Sequence, residues 1–264
     1  DGVIVPFYLR GLWGSRFSRS SDRMKLTSRR GLRRDIIVAF GPSMDIQSKT
    51  HEVKKRVFDL SIDAWQAYTQ TLEPIPLSWM HTAKKQGDSL CMTDAQGDTS
   101  LTGHKALTAL LAFAGLIKKR SPECNIGLLL PTSSAGMLTN MSVLLLGKTV
   151  VNLNYTASVD TLSGAIDQAG IRTIYTSRRF IKKLEQKGIV LDSLFEKAGV
   201  FYLEDLMAEV SAIRKMFLYT VVKVLPTQLI YSLFGKRVPI NDPAAILFSS
   251  GSEGTPKGVV LSHR

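Results

Sequence analysis

Cysteine is scarce in this 264-residue chain: Cys91 and Cys124 are its only two. Two thiols so far apart exclude a disulfide framework or a zinc cluster, so both are read as small apolar residues of a reducing compartment. Acidic charge is also short, with 22 Asp+Glu against 34 Lys+Arg and a formal net charge of +12, which points to an anionic partner. No zinc-finger spacing, RNP-type signature or KH loop accompanies that charge, so phospholipid headgroups are favoured over nucleic acid, the rival partner. An initiator Met and a charged-then-apolar leader are missing at Asp1, and the chain stops abruptly at Arg264, so a fragment is expected. What is present is ample: 44% hydrophobic and 21% charged residues describe a folding chain of one large domain or two modest ones.

The positive charge is concentrated. Between Arg10 and Arg34 lie nine basic residues (Arg10, Arg16, Arg19, Arg23, Lys25, Arg29, Arg30, Arg33, Arg34) and a single acid, Asp22, interleaved with Trp13 and Phe17. Such a strip can lie on an anionic bilayer, where each cation near the surface contributes about 1 kcal/mol; a solvated basic loop is the plainer alternative. A second membrane-like stretch, Met216 to Gly235, is strongly apolar and flanked by Arg214-Lys215 and Lys236-Arg237. Its internal Lys223, Pro226 and Gln228 argue against a spanning helix, so an interfacial, proline-bent helix or a buried core helix is favoured over a true span.

The remaining pattern alternates. Val3 to Leu9 is a short apolar run interrupted by Pro6, suited to an edge strand, and Asp35 to Phe40 reads as a strand closed by Gly41-Pro42. Val53, Val57, Leu60, Ala64, Tyr68 and Leu72 mark one face of a helix that ends before Pro74 and Pro76. The polar turn Lys84 to Ser89 sets the expected domain boundary, dividing residues 1–86 from 87–264. Beyond it come a helix Lys105–Lys118, a strand Ile126–Leu130, Ser133 and Ser134 as capping candidates for a helix to Leu146, a stop at Gly147 and a strand Thr149–Leu153. A helix Val159–Ala169, its stop at Gly170 and a strand Arg172–Thr176 complete a βαβαβ pattern. This predicts an α/β fold with a doubly wound, largely parallel sheet whose ligands lie beyond the carboxyl ends of the strands.

The chemistry-bearing segment comes last. A strand Ala244–Phe248 runs into Ser249, Ser250, Gly251, Ser252, Glu253, Gly254, Thr255, Pro256, Lys257 and Gly258, and a second apolar run, Val259 to Leu261, follows. Glycines 251, 254 and 258 let backbone approach an anion, the hydroxyls of Ser249, Ser250, Ser252 and Thr255 supply donors, and Lys257 supplies a point charge. This is not a Walker A loop, because Pro-Lys-Gly replaces Gly-Lys-Ser/Thr and a strand rather than a helix follows.

The decamer resembles the signature loop of the AMP-forming adenylate superfamily, which includes acyl-CoA synthetases, luciferases and peptide-synthetase adenylation domains. That resemblance implies that Ser249, Ser250, Gly251, Ser252, Gly254 and Lys257 hold the phosphates of ATP, with Mg2+, while a carboxylate attacks the α-phosphate. Glu253 stands where Thr or Ser is usual, Thr255 and Gly258 complete the cofactor-binding set, and His263 matches a frequent histidine of the family. With Asn154–Ala157, Thr173–Arg178 and Tyr202–Leu206, the loop further resembles a bacterial bifunctional family that joins a glycerolipid acyltransferase to an acyl carrier protein synthetase. Val3-Ile4-Val5-Pro6 is similar to the fourth block of such acyltransferases, which makes residues 1–86 the end of that domain and 87–264 the start of the AMP-binding domain.

The implied activity is ligation of a fatty acid to acyl carrier protein and acyl transfer to a lysophospholipid, 2-acyl-glycerophosphoethanolamine, with membrane lipids as further partners, at the cytoplasmic face of the inner membrane. The catalytic His-x4-Asp pair of the acyltransferase family is missing, since none of His51, His81, His104 or His263 has Asp five residues on. A stand-alone long-chain fatty acid CoA ligase and a non-catalytic membrane scaffold with a vestigial loop are the alternatives.

Overall fold

The computed structural model describes residues 2–14, 18–23, 35–94, 99–249 and 256–264. Two compact units divide the chain, Asp1–Leu72 and Glu73–Arg264.

In the first unit Pro6 splits the leading apolar run, because proline has no N–H for a strand ladder, into β1 (Val3–Ile4) and β2 (Phe7–Arg10). β3 (Ile37–Phe40) runs antiparallel to β2 with Phe7 opposite Phe40, and β4 (Met44–Asp45) pairs antiparallel with β1. Helix α1 (Thr50–Thr69) lies against β2 and β3 and buries Leu60 and Ala64, the middle of the stripe read from sequence. Its first turn is closed by the Lys49 N–H donating to the Glu52 carboxylate, 2.8 Å. The Arg10 guanidinium lies 4.2 Å from the ring centroid of Trp65 and 4.5 Å from that of Tyr68, so this cation of the basic strip is engaged inside the unit. Arg16, Lys25, Arg29, Arg30, Arg33 and Arg34 fall outside the described residues.

The second unit opens with α2 (Ile75–Gln86), a helix absent from the sequence reading. Pro74 and Pro76 were read only as the end of the preceding helix, yet proline suits a first turn, where its missing N–H costs nothing. α2 buries Leu77, Met80 and Ala83 in the same core as the helix that follows, so the units part after Leu72 rather than at the Lys84–Ser89 turn. A small antiparallel hairpin, β5 (Leu90–Thr93) and β6 (Ser100–Thr102), leads into α3 (Gly103–Arg120). Then β7 (Asn125–Leu129), α4 (Ser134–Leu145), β8 (Thr149–Asn152), α5 (Val159–Ala169) and β9 (Thr173–Thr176) realise the expected alternation. Ser133 caps α4 by accepting from the Gly136 N–H, and Gly170 ends α5 in the left-handed region at φ 61°. The chain continues through α6 (Arg178–Glu185), α7 (Asp192–Phe195), β10 (Gly199–Tyr202), α8 (Leu203–Glu209), α9 (Ala212–Val224), α10 (Thr227–Phe234), β11 (Pro243–Ser249) and β12 (Lys257–Ser262).

The six-stranded sheet has the order β10-β9-β7-β8-β11-β12, parallel except for the antiparallel edge β12. Alternate strand residues feed two cores. Ile126, Leu128, Val150 and Tyr175 join α2, α3, α4, α9 and α10 on one face, while Leu129, Val151 and Ile174 join α5, α6 and α7 on the other. The sheet is therefore doubly wound. Met216–Gly235 forms two helices parted at Leu225-Pro226, and among the described residues no helix is long and apolar enough to cross a membrane. Cys91 is half-buried and Cys124 is exposed just before β7; both are free thiols.

The carboxyl ends of β9 and β10 are clasped. The Glu204 carboxylate accepts from Ser177 Oγ (2.7 Å) and from the N–H groups of Arg178 (3.2 Å) and Arg179 (3.4 Å), and Arg178 pairs with Asp205 at 2.6 Å. Thus Thr173–Arg178 and Tyr202–Leu206, quoted above for their resemblance, meet in space as a helix cap. Burial pushes the Glu204 carboxyl up, but the donors from Ser177 and the backbone outweigh it and hold the group below its usual range. A carboxyl lowered in the folded state stabilises above its unfolded value and loses that contribution as pH falls through the folded value. Glu204→Gln is therefore expected to lower unfolding stability by about 1 kcal/mol at pH 7, a modest figure because the residue is exposed. Urea titrations should show the gap between variant and parent closing as the pH falls below 4; a gap independent of pH would remove the cap from the account.

Candidate functional site

The signature segment is positioned by pairing. β11 joins the parallel sheet through Ala245 opposite Val150 and Ile246 opposite Val151, then turns back so that Phe248 faces Gly258 and Ser249 faces Lys257. Because β8 and β11 run parallel, Ser249 and Lys257 stand at the carboxyl edge of the sheet, where the alternation of strands and helices predicts a ligand. Of the expected site residues, Ser249, Lys257 and Gly258 are described; Ser250, Gly251, Ser252, Glu253, Gly254 and Thr255 lie outside the described residues. Directly opposed residues of an antiparallel pair share one face at about 5 Å between Cβ atoms, so the Ser249 hydroxyl and the Lys257 ammonium leave the sheet side by side. Lys257 is exposed, and no described carboxylate pairs with it.

Gly258 lies close under a neighbouring ring on the other face. A Cβ there would sit 3.0 Å from Cε1 and 3.2 Å from Cζ of Phe248, whose ring thus lies across the glycine. Phe248 in turn lines a cavity of about 330 Å3, together with Asn152, Asn154, Thr156, Ser158 and Thr161, a size within the range of small-molecule sites. Asn154 Oδ1 accepts from the N–H (3.1 Å) and Oγ1 (2.8 Å) of Thr156, and Ser158 caps α5 by accepting from the Thr161 N–H at 3.2 Å. The string Asn154–Ala157 is therefore the turn that shapes this cavity. On the same helix, Gly164 faces Pro256, and a Cβ would come 3.2 Å from Pro256 Cγ. The bare backbone of α5 is the seat of the loop's exit.

The start of α4 at this edge is already neutralised. The Asp94 carboxylate accepts from the N–H and from Oγ (2.6 Å) of Ser134 at the start of α4, so the positive end of that helix holds a protein anion. His263, matched above to a family histidine, lies past the far end of β12, about 20 Å from Lys257 at strand rise. It is buried, its Nδ1 has no partner among the described residues, and burial holds its pKa below the ordinary imidazole range. The fold thus separates it from the loop. Among the described residues no three His, Cys, Asp or Glu converge to hold a metal ion. Gly164, Phe248 and the polar wall Asn152–Thr161 were missed by sequence reasoning; a glycine inside the predicted helix Val159–Ala169 was the available signal.

The described residues thus set the Ser249 hydroxyl and the Lys257 ammonium on one face of the β11–β12 ribbon and a polar cavity beside Phe248 on the other. Residues 79–264 match the AMP-binding enzyme family. The chain is 29% identical over 166 residues to long-chain-fatty-acid–CoA ligase 1 of Schizosaccharomyces pombe, covering 58% of this chain and 23% of that protein. It is 27% identical over 139 residues to 4-coumarate–CoA ligase-like 6 of Arabidopsis thaliana, covering 53% and 22%. The chain thus spans under a quarter of the length of these relatives. In fold it is similar to the N-terminal subdomain of Klebsiella oxytoca NpsA in complex with 3-hydroxybenzoyl-AMSN (TM-score 0.54, 16% identity, 73% of this chain and 41% of that one). The amide bond synthetase McbA of Marinactinospora thermotolerans is also similar (TM-score 0.51, 20% identity, 70% and 34%).

Gly164→Ala separates stability from site geometry. Alanine raises helix propensity by up to about 1 kcal/mol, while its methyl displaces Pro256 by a few tenths of an ångström. Thermal unfolding should stay level or rise as ATP affinity, measured by calorimetric titration, falls about tenfold. Unchanged affinity would show that Pro256 does not seat the loop.

Proposed function

Because the chain belongs to the AMP-binding enzyme family, we propose that it forms part of an AMP-forming ligase that activates a fatty acid with ATP and delivers it to acyl carrier protein. The observation that carries this reading is the Ser249–Lys257 pair at the carboxyl edge of the sheet, which flanks in sequence the segment of serines, glycines and threonine. In the first half-reaction a carboxylate oxygen of the fatty acid attacks the α-phosphorus of ATP, the bond to the bridging oxygen breaks, and pyrophosphate leaves. Lys257 holds negative charge as it develops, and the Ser249 hydroxyl donates to a phosphate oxygen. In the second, a carrier thiol attacks the acyl carbonyl, AMP leaves, and the thiol proton passes to solvent. No magnesium site is assigned to the described residues, and the ion belongs to this reading as the partner of ATP.

The first unit is read as the end of an acyltransferase that moves the acyl group from the carrier to 2-acyl-glycerophosphoethanolamine. Its support is the Val3–Pro6 resemblance, and its place of action is the cytoplasmic face of the inner membrane. The fatty acid is supported by the likeness to the fission-yeast long-chain ligase. Of the relatives named above, one is a CoA ligase and the other is CoA ligase-like, which favours coenzyme A as acceptor in a second reading; supplying each thiol in turn to pre-formed acyl adenylate decides between the two.

Lys257→Ala tests the assignment. Fatty-acid-dependent ATP–pyrophosphate exchange should fall by about two to three powers of ten. Acyl transfer from pre-formed carrier thioester to lysophospholipid uses no ATP and should be unchanged. The substitution is exposed, so its folding cost should stay within about 0.5 kcal/mol. Loss of neither activity would sink the role of the loop, and equal loss of both would sink the independence of the two units.

A further inference from the structure

We infer that α9 and α10 form a docking surface for an anionic phospholipid bilayer. The inner side of α9 is fixed to the second unit. Leu218 and Val222, one turn apart, are buried, and the Arg214 guanidinium passes over Gly115 of α3, where a Cβ would collide with it. Lys84 of α2 donates to the carbonyls of Val222 and Lys223, and Tyr219 donates to Asp88 at 3.2 Å. The outer side has no such partners. Ile213, Phe217 and Val224 recur at helical spacing and are 76%, 60% and 71% exposed. α10 repeats the division, burying Thr227, Ile230 and Tyr231 while Leu229 and Leu233 are exposed.

Charge identifies the occupant. From Ala212 to Arg237 the charged residues are Arg214, Lys215, Lys223, Lys236 and Arg237, with no Asp or Glu among them. Lys223 pairs with Asp88 at 3.4 Å and Arg214 is turned onto α3, which leaves Lys215, Lys236 and Arg237 as the cations beside the exposed stripe. Lysine is depleted in protein–protein interfaces, whereas an apolar stripe flanked by such cations is the pattern of a helix lying in the headgroup plane. Beside the stripe, between α3, α8 and α9, an open groove of about 420 Å3 extends the apolar surface. Ala112, Phe113, Met207 and Met216 line it, with Lys105 and Lys215. Methionines there can adapt to irregular acyl chains, and Met216 belongs to both groove and exposed surface. With Pro226 between two short helices, attachment is in the plane of the membrane rather than across it.

The test is co-sedimentation of the full-length protein with vesicles of phosphatidylglycerol and phosphatidylcholine in equal parts, and with phosphatidylcholine alone. Parent protein should sediment with the anionic vesicles, less so at high salt, and weakly with the zwitterionic ones. The double variant Phe217→Glu, Val224→Glu should lose at least about tenfold in partitioning, and Lys215→Ala with Lys236→Ala should lose less. ATP–pyrophosphate exchange with a water-soluble short-chain acid should be retained in both, which reports folding and keeps the outcome separate from the ligase reading. Equal binding by parent and the double Glu variant overturns the proposal. So does loss confined to a variant with Arg29, Arg30, Arg33 and Arg34 changed to Ala, or a parent dimer in vesicle-free solution that the Glu pair dissociates.

Discussion

A parallel strand with strands on both sides can satisfy its backbone only within the sheet, and its side chains only if both faces are covered. β7 is in that position: from Ile126 to Leu129 it is buried, with β8 on one side and β9 on the other. Even Gly127 is enclosed, since a Cβ there would lie 2.9 Å from Ile171 Cγ2. Two helical layers are therefore obligatory, and the crossovers that supply them, α4 on one face and α5 on the other, leave their loops at the carboxyl edge of the strands. The two cores, the winding of the sheet and the place of the candidate site all descend from that burial.

At the carboxyl edge the local chemistry is divided among segments distant in sequence. The start of α4 is neutralised by Asp94 from the β5–β6 connection, and the start of α6 by Glu204 from α8. The start of α5, capped by Ser158, opens on the cavity beside Phe248. Lys257, on the other face of the β11–β12 ribbon, has no described ion-pair partner. Internal carboxylates thus occupy two helix ends, while no described carboxylate pairs with Lys257.

Periodicity made much of this legible. The alternation from Lys105 to Thr176 and the return strand after Gly258 follow the sequence reading to within a few residues, because their side chains are either uniformly buried or divided at 3.6-residue spacing. Where one residue serves two meanings the reading failed. Pro74 and Pro76 end one helix and begin another, so α2 was hidden and the unit boundary displaced toward Gln86. Short elements such as α6, β10 and α8 carry too few residues for a period to show. Met216–Gly235 left an interfacial or a buried helix open by composition; each of its two helices proves to have one buried and one exposed side.

By itself the sequence determined the class of sheet, the succession of its central elements and the anion-seeking composition of residues 249–258, since each depends on local spacing and residue type. Tertiary structure alone decided that Ser249 and Lys257 stand opposite one another, that Gly164 and Gly258 are bare because Pro256 and Phe248 press on them, and that His263 belongs to the far end of the sheet. Those facts depend on strand register and on the approach of segments nearly a hundred residues apart. A one-residue slip in β12 would place a different side chain opposite Ser249 without altering the composition of the loop.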